Sequence, residues 1–311
     1  MSTPTRIAGF VVALAAVFAL ALGVGNVFGP DAELQTAAHD THGAHESDTA
    51  QPASADAADI PGGLMTSQHG YTLALAKPLA AAGDDVPVTF TITGPDSEAV
   101  TTYDIEHEKQ LHLIAVRRDF TGFQHVHPEL SPDGTWATEL DLTAGQWRLF
   151  ADFRASGADA LTLGADLAVA GDYQPAEHSG ESRTAEVDGY TVTLHGDLSA
   201  GADAKLTLSV ERDGRPVTDL EPYLGSYGHL VALRSGDLAY LHVHPDGTPD
   251  DGTTQPGPDV VFYAAVPSAG TYHLYLDFKH QGVVRTAAFT VSSTGLAAPE
   301  STDTGDADTG H

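Results

Sequence analysis

The sequence predicts an all-β protein made of two tandem antiparallel β-sandwich domains, preceded by one N-terminal transmembrane helix. In each half of the chain, about seven short β-rich segments are separated by turns containing Gly and Pro, with no amphipathic helix period. One set of histidines occurs twice at the same spacing, which indicates a duplicated domain. An uncharged apolar run near the start predicts the helix.

The N-terminal segment, residues 1–28, is interpreted as an uncleaved signal anchor. Residues 7–28 carry no charge, and at about 1.5 Å per residue they span the hydrocarbon layer. Arg6 before the run and Asp31 after it favour a cytoplasmic start. A cleaved signal peptide is the alternative, with small residues at Ala21-Leu22-Gly23. In either case we expect the C-terminal domains to be extracytoplasmic, and with the anchor the protein is a single-pass protein of the cell membrane.

Low-complexity segments separate and flank the predicted domains. Residues 29–62 are rich in Ala, Asp, Ser, Thr and Pro, which predicts a disordered acidic linker. Its residues 39–46 hold three histidines and two carboxylates, typical of a weak metal-capturing strip or of a solvated polar linker. Residues 173–185 form a second linker, and residues 293–311 form a disordered acidic tail.

The predicted strands divide between residues 63–172 and residues 186–292. In the first domain they are Tyr71–Ala76, Val86–Thr93, Leu111–Val116, Phe123–His127, Trp136–Leu142, Gln146–Phe153 and Leu161–Ala170. In the second they are Tyr190–Leu194, Lys205–Glu211, His229–Leu233, Ala239–His244, Val260–Val266, Tyr272–Phe278 and Val283–Val291. The sequence Ala-Gly-Thr-Tyr272 resembles the tyrosine corner of immunoglobulin-like sandwiches, so both domains are predicted to be immunoglobulin-like.

Composition excludes several classes of function. The net charge is −29, from 43 acidic and 14 basic residues, which disfavours nucleic acid as a partner and favours cations. The chain has no cysteine, which excludes disulfides, thiolate nucleophiles, Cys-type zinc sites, blue-copper centres and lipid attachment through a lipobox Cys.

The repeated motif places three histidines at matching positions in each domain. The second histidine follows the first by 13 residues and the third by 15, and the third is followed by Pro in both copies. The histidines are His112, His125 and His127 in the first copy and His229, His242 and His244 in the second.

The spacing of the motif suits a β-hairpin that carries a metal site. If Ser235-Gly236 form a two-residue loop, His229 lies opposite His242, and His244 shares their face because side chains alternate along a strand. Opposed Cβ atoms are about 4.5–5.5 Å apart, so three imidazoles reach one ion at about 2 Å per bond. The first domain has the same loop length, so one three-histidine site is expected in each domain.

A fourth ligand is available at matching positions. Asp152 and Asp277 lie in equivalent segments after the motif and are candidate metal ligands. They are equally suited to ion pairs with Arg117 and Arg234, and the sequence leaves both interpretations open. His107 has no counterpart in the second domain and is kept as a further candidate, whereas His195 and His280, which also lack a repeat partner, are expected at the surface.

The motif resembles that of bacterial exported proteins with predicted heavy-metal-binding, immunoglobulin-like domains, in the company of YtkA-like and CopC-like copper proteins. The residues that carry the resemblance are Leu-His112-Leu-Ile-Ala-Val-Arg with Gln-His125-Val-His127-Pro, and Gly-His229-Leu-Val-Ala-Leu-Arg with Leu-His242-Val-His244-Pro. The resemblance covers residues 63–292 and implies a sandwich that handles copper outside the cytoplasm. The chain has only Met1 and Met65, so Cu(II) or Zn(II) is the reasonable ion for imidazole and carboxylate ligands.

The first motif also resembles the Phe-His-Val-His-Glu strand of copper/zinc superoxide dismutases. The histidine-rich zinc loop and the disulfide cysteines of those enzymes have no counterpart in the sequence, and the motif-linked acids, Glu129 and Asp246, are equally suited to surface loops. We therefore do not expect an enzyme.

The function that the sequence favours is an extracytoplasmic metal-binding protein that buffers, sequesters or delivers copper or zinc. Its expected partners are the metal ion, the membrane through the N-terminal helix, and an unidentified metal transporter or envelope protein. Neutral imidazole is the ligand form, so binding is expected to weaken below about pH 6. The alternative is a non-metal envelope scaffold or adhesion module in which the histidines are structural.

Overall fold

A computed structural model of the chain describes residues 60–177 and 180–295, and this part of the protein is all-β, with no helix. This described part of the chain contains no helix that is long and apolar enough to cross a bilayer. The predicted helix at residues 1–28, the linker up to residue 59 and the tail from residue 296 lie outside the described residues.

The first sandwich is built from two five-stranded sheets. Its strands are β1 (Ser67–Gln68), β2 (Tyr71–Leu75), β3 (Leu79–Ala81), β4 (Gly83–Thr93), β5 (Leu111–Arg117), β6 (Gln124–Val126), β7 (Glu129–Leu130), β8 (Thr135–Leu142), β9 (Gly145–Phe153) and β10 (Leu161–Ala170). One sheet has the order β1-β2-β4-β8-β7 and the other β3-β10-β9-β5-β6. All pairs are antiparallel except β3 with β10, which are parallel.

The second sandwich repeats this order. Its strands are β11 (Thr184–Val187), β12 (Tyr190–His195), β13 (Leu198–Ser199), β14 (Ala202–Arg212), β15 (Arg215–Pro216), β16 (His229–Arg234), β17 (Tyr240–Leu241), β18 (Val243–Pro245), β19 (Asp259–Val266), β20 (Gly270–His280) and β21 (Val283–Thr294). One sheet runs β11-β12-β14-β19-β18, with β15 on β14, and the other runs β13-β21-β20-β16-β17.

The strand order is that of an immunoglobulin-like sandwich. Across the first sheet, β2, β4, β8 and β7 occupy the A, B, E and D positions, and in the second sheet β5, β9 and β10 occupy the C, F and G positions. The tyrosine corner is present, because Tyr272 Oη donates a hydrogen bond of 2.7 Å to the carbonyl of Ser268. In the first sandwich Trp147 occupies this place, and its Nε1 donates to Thr143 O at 2.8 Å. The predicted fold class is therefore confirmed for the described residues.

Each sandwich has its own apolar core, and a third core lies between them. The first is centred on Phe90, Trp136 and Trp147, and the second on Phe262, Tyr272 and Phe278. The third joins residues of both sandwiches: Ile114, Val116, Phe150, Val231, Leu233, Leu238 and Tyr275. The two sheets that carry β5 and β16 therefore pack on each other through their outer faces.

Candidate metal centre between the two sandwiches

Strands β5 and β16 are buried on both faces, and this places their histidines at the contact between the sandwiches. On β5, Leu111, Leu113 and Ala115 belong to the core of the first sandwich. The alternate residues Ile114 and Val116 belong to the shared core. Because side chains alternate along a strand, His112 lies on the face of Ile114 and Val116 and so points toward the second sandwich.

The equivalent strand of the second sandwich has the same pattern. Leu230 and Ala232 lie in its own core, whereas Val231 and Leu233 lie in the shared core. His229 is on the face of Val231 and Leu233. His112 and His229, the first histidines of the two motif copies, therefore meet across one interface. The expectation that they lie in two separate sites, one in each domain, was wrong.

Three histidines of the first sandwich form a compact group. His112, His125 and His127 each offer one ring nitrogen, and these nitrogens all lie within 4.8 Å of one another. His112 Nδ1 and His125 Nε2 are 3.0 Å apart. The ring centroid of His127 lies 5.0 Å from that of His112 and 4.9 Å from that of His125.

His229 adds a fourth imidazole from the second sandwich. Its ring is stacked on that of His112, with centroids 5.4 Å apart and an interplanar angle of 9°. The centroid of His229 lies 4.7 Å from that of His125. We call these four residues the histidine cluster: His112, His125, His127 and His229.

Asp277 of the second sandwich holds His125 of the first. His125 Nδ1 and Asp277 Oδ2 are 2.7 Å apart, and their side chains are only 2% and 3% exposed. The other carboxylate oxygen accepts a hydrogen bond of 2.5 Å from Thr286 Oγ1. This contact orients the imidazole with Nδ1–H toward the carboxylate and Nε2 toward the cluster, as carboxylates hydrogen-bonded to metal-binding histidines commonly do.

The hydrogen-bond roles within the cluster leave nitrogen lone pairs facing each other. His112 Nε2 is 3.1 Å from the carbonyl of Glu106, which can only accept, so this nitrogen carries the proton of a neutral ring. His112 Nδ1 then has a lone pair, and it faces His125 Nε2 at 3.0 Å. If His125 is also neutral, with its proton on Nδ1, no proton lies between these two nitrogens, and their lone pairs face each other as two ligands of one cation would.

His127 adds an unpartnered nitrogen. Its Nε2 is buried and has no hydrogen-bond partner within residues 60–177 and 180–295. A buried polar nitrogen without a partner costs about 1–3 kcal/mol. A ligand at the cluster would remove that cost.

Burial favours the neutral form of three of the four cluster histidines, His112, His127 and His229. It lowers the pKa of His112 to about 4, with the neighbouring His125 adding to the effect. It lowers the pKa of His127 to about 3, and it holds the pKa of His229 well below the ordinary value. Neutral imidazole is the form that coordinates metals, so these three ligands stay competent below the pH 6 limit expected from an ordinary histidine.

His242 and His244 do not complete a second group of the same kind. Strand β17 ends at Leu241, and the chain then crosses to the opposite sheet, where His244 pairs with Tyr263. In the first sandwich the crossing comes later, because β6 still pairs His125 with Ile114 of the first sheet. The three-histidine group expected in each domain is therefore present in the first sandwich, whereas His229, His242 and His244 do not form such a group in the second.

The turn of the predicted hairpin also differs. The observed pairs are Ala232 with Leu241 and Leu233 with Tyr240, which leaves four residues, Ser235–Leu238, in the loop. If the pairing continued beyond Leu241, this register would place His244, rather than the expected His242, opposite His229. Both registers keep the same residues on one face, because they differ by two positions.

The two candidate aspartates have different surroundings. Asp152 accepts a hydrogen bond of 2.8 Å from Thr162 Oγ1, and burial raises its pKa to about 6. It is opposite His112 in the sheet but does not join the group of three ligand atoms. Asp277 lies opposite His229 in its sheet, and its side chain contacts the cluster through the hydrogen bond with His125.

The alternative pairing of these aspartates with arginines was wrong. Arg117 forms its ion pair with Asp119 at 2.7 Å, and Arg234 pairs with Asp237. Asp119 and Asp237 lie in the hairpin loops, so each arginine forms its ion pair within its own hairpin.

Two other histidines differ in their setting. His195 is exposed, as expected. His280 was expected at the surface but is 5% exposed. Its Nδ1 is 2.7 Å from Tyr190 Oη and its Nε2 is 3.1 Å from Asp219 Oδ1, so it is a hydrogen-bonded residue of the second sandwich.

Solved structures resemble the chain weakly. The adhesin FdeC of Escherichia coli is 16% identical over 74% of this chain and 65% of its own, with a TM-score of 0.25. The adhesin InvE of Yersinia pseudotuberculosis is 13% identical over 72% of this chain and 59% of its own, with a TM-score of 0.21. The Ig1-2 module of the Drosophila receptor protein tyrosine phosphatase DLAR is 9% identical over 74% of this chain and 100% of its own, with a TM-score of 0.19. These scores are too low to carry an argument, and the fold assignment rests on the strand order.

The sequence matches the model of a known protein family. No curated protein matches the chain. A family model described as a domain of unknown function (DUF8832) matches residues 66–170 and 185–295, which are the two sandwiches. The chain therefore belongs to this family of unknown function.

Proposed function

We propose that the protein binds one transition-metal ion at the histidine cluster and buffers, sequesters or delivers that ion outside the cytoplasm. The observation that carries the proposal is the pair of facing nitrogens, His112 Nδ1 and His125 Nε2, at 3.0 Å. Two nitrogens bound to one ion at about 2.0–2.1 Å lie about 2.9–3.4 Å apart for bond angles from square-planar to tetrahedral. The unpartnered Nε2 of His127 supplies a third donor.

The donor set favours Cu(II) or Zn(II). Imidazole nitrogens suit both ions, and the chain has no cysteine and only two methionines with which to select Cu(I). His229 is close enough to enter the site as a fourth donor after a small ring movement, since it lies 4.7 Å from His125 between centroids. Carboxylate ligation is limited to the indirect contact of Asp277 through His125.

The setting in the cell is part of the proposal. The uncharged N-terminal run and the resemblance to YtkA-like and CopC-like proteins support a single-pass anchor with both sandwiches outside the cytoplasm. The net charge of −29 supports a role with cations and opposes nucleic acid as a partner. We propose no catalytic activity, and the receiving partner is an envelope or transport protein.

The test is metal stoichiometry by mass spectrometry and titration calorimetry with Zn(II) and Cu(II). The material is the compact unit from Asp56 onward, prepared without a tag. We expect one tightly bound equivalent, lost in His127→Ala and retained in His195→Ala, because His195 is exposed and lies on β12, in the other sheet of the sandwich from the strand that carries His229. Tight binding that survives His127→Ala, or none in the parent, contradicts the proposal.

A second candidate function depends on the hydrogen bonds that His125 makes with Asp277 and His112. If His125 is doubly protonated, it forms a buried ion pair with Asp277 and donates from Nε2 to His112 Nδ1. The cluster is then a closed structural network that joins two sandwiches in an envelope scaffold or adhesion module. FdeC and InvE are described as adhesins. Nitrogen-15 NMR of the imidazoles distinguishes the two candidate functions, since only the second requires a doubly protonated His125 in the metal-free protein at pH 7.

A further inference from the structure

A cavity of about 350 Å³ lies against the histidine cluster. Five histidines line it: His107, His112, His229, His242 and His244. Two of them, His112 and His229, also belong to the cluster, so the cavity reaches the proposed metal centre. We call the remaining three, His107, His242 and His244, the outer histidines.

His107 is held toward the cluster by a turn with an unusual backbone. Glu106 and Lys109 exchange backbone hydrogen bonds of 2.9 and 3.0 Å, and the two residues between them have positive φ, 46° at His107 and 66° at Glu108. Such turns favour Asn-Gly, because other residues are strained there. The ring of His107 lies 5.6 Å from that of His229 and 6.1 Å from that of His112.

His242 and His244 enter the cavity from the second sandwich. Their ring centroids are 4.0 Å apart, and both residues are exposed. Burial lowers the pKa of His242, with His244 and His107 adding to the effect and Glu106 opposing it, so these groups act on one another across the cavity. His242 also lines a second, larger cavity of about 610 Å³ that shares six lining residues with the first.

The charges around the cavity are balanced. Glu106 and Asp152 line it together with Lys109 and Arg154. Arg154 is paired with Glu106 at 2.7 Å. The cavity thus presents imidazole rings to an incoming cation, without a dominant positive field that would repel it.

The outer histidines are not preassembled as ligands. In the described part of the chain, the group of three or more such residues whose ligand atoms all lie within 4.8 Å of one another is His112, His125 and His127, and it includes none of the outer histidines. Donors that are near each other but not converged bind an ion weakly and release it easily. That property suits passage of an ion better than its storage.

We propose that the outer histidines form a loading station, through which the ion enters and leaves the histidine cluster. The ion is held transiently by His242 and His244, meets His107, and reaches His112 and His229 by exchange of one imidazole nitrogen for another, with no change in the charge of the ion or the ligands. The loading station therefore sets the rates of loading and release, whereas the cluster sets the affinity. This inference rests on the proposed function.

The test measures Zn(II) exchange with a chromophoric chelator by stopped flow, on the full-length chain. The variants are His242→Ala/His244→Ala and His107→Asn, the latter because Asn tolerates positive φ, with His195→Ala as the control. We expect association and dissociation rates to fall together by roughly tenfold in the first two variants, with Kd unchanged within about twofold. The control should keep the parent rates.

The outcomes separate this inference from the proposed function. Parent rates in both variants would overturn the loading station while leaving the metal site intact. A weaker Kd with faster release would also overturn it, because the outer histidines would then be equilibrium ligands. A parent chain whose cluster takes up no Zn(II) would overturn the proposed function and the loading station with it.

Discussion

At the scale of single residues, the central contact is the one between His125 and Asp277. The repeat supplies two equivalent aspartates, Asp152 and Asp277, yet only Asp277 reaches a histidine of the other sandwich. This contact sets which nitrogen of His125 faces the cluster. Equivalent positions in a duplicated sequence therefore have different roles.

This asymmetry gives a prediction for metal affinity. Asp277→Asn should weaken Zn(II) binding by about 10–100-fold, because the neutral amide orients His125 less well and lowers its basicity. Asp152→Asn is the matched control and should leave the affinity unchanged, since Asp152 has Thr162 as its partner. Competition with a chelator of known affinity measures both. An equal loss in the two variants would instead make Asp152 a ligand, as the sequence allowed.

Burial of the histidines predicts the pH dependence of stability in the metal-free protein. The pKa of His112 is about 4 and that of His127 about 3 in the folded state, against 6.5 in the unfolded chain. Below pH 6.5 the unfolded state binds protons at these histidines, whereas the folded state does not until the pH approaches the lowered pKa values. Stability is thus fully present above pH 6.5 and falls as pH drops toward 4, by up to about 1.4 kcal/mol per pH unit for each histidine.

Urea unfolding between pH 7 and pH 5 measures this slope. The double variant His112→Gln/His127→Gln should flatten it, because neither glutamine titrates. A slope that is the same in the parent and in the variant would mean that these rings are not held neutral by burial.

At the scale of the elements, the two copies of the motif differ in the point at which the chain crosses from one sheet to the other. In the first copy β6 contains His125, and the change comes between Val126 and Glu129. In the second copy β17 ends before His242, and β18 contains His244. A difference of a few residues in this crossing sends one pair of histidines into the cluster and the other pair toward the cavity.

The turn at residues 106–109 gives a second prediction at this scale. Replacing His107-Glu108 with Asn-Gly should raise the free energy of unfolding by about 1 kcal/mol, because both central residues have positive φ. Chemical denaturation measures the gain. The control is Glu108→Gly alone, which should yield only part of it. A net loss of stability would show that contacts of the His107 ring outweigh the backbone strain.

At the scale of the whole molecule, the shared core joins the two sandwiches. The described contacts include the stack of Phe123 on Tyr275, with centroids 4.0 Å apart, and a 2.7 Å hydrogen bond from Tyr275 Oη to Phe120 O. Ile114 and Val231 are fully buried there. The histidine cluster lies at this same contact, so its assembly requires both sandwiches to be folded and docked.

The shared core predicts cooperative unfolding. Val231→Asp places an unpaired charge at its centre, while each sandwich keeps its own core, so the two should then unfold separately. Both tryptophans, Trp136 and Trp147, belong to the first sandwich. Tryptophan fluorescence therefore follows the first sandwich, and far-UV circular dichroism follows both.

In the parent protein the two probes should give one coincident urea transition, and in Val231→Asp the transitions should separate. Thr193→Asp, on the partly exposed face of β12, is a control that should keep them coincident. Separate transitions in the parent would contradict the joint behaviour of the two sandwiches.

Much of the fold could be predicted because the patterns that specify it are local. Alternation of apolar residues, Gly and Pro turns and the Gly-x-aromatic corner are short-range signals, and they indicated the strands of both sandwiches. The face shared by His125 and His127 follows from the same alternation. The hairpin register was wrong by two residues, because Leu238 and its neighbours form a four-residue loop that the Ser-Gly pair did not indicate.

The sequence by itself determined the duplicated β-sandwich pattern, the acidic character and the residue types available for a site. Tertiary structure alone decided that one histidine cluster forms between the sandwiches, because Ile114, Val116, Val231 and Leu233 make the outer faces of two sheets apolar and drive them together. Strand periodicity records which face a residue occupies but not what covers that face. The pairing of His125 with Asp277, 152 residues apart, comes from that docking and has no local signal in the chain.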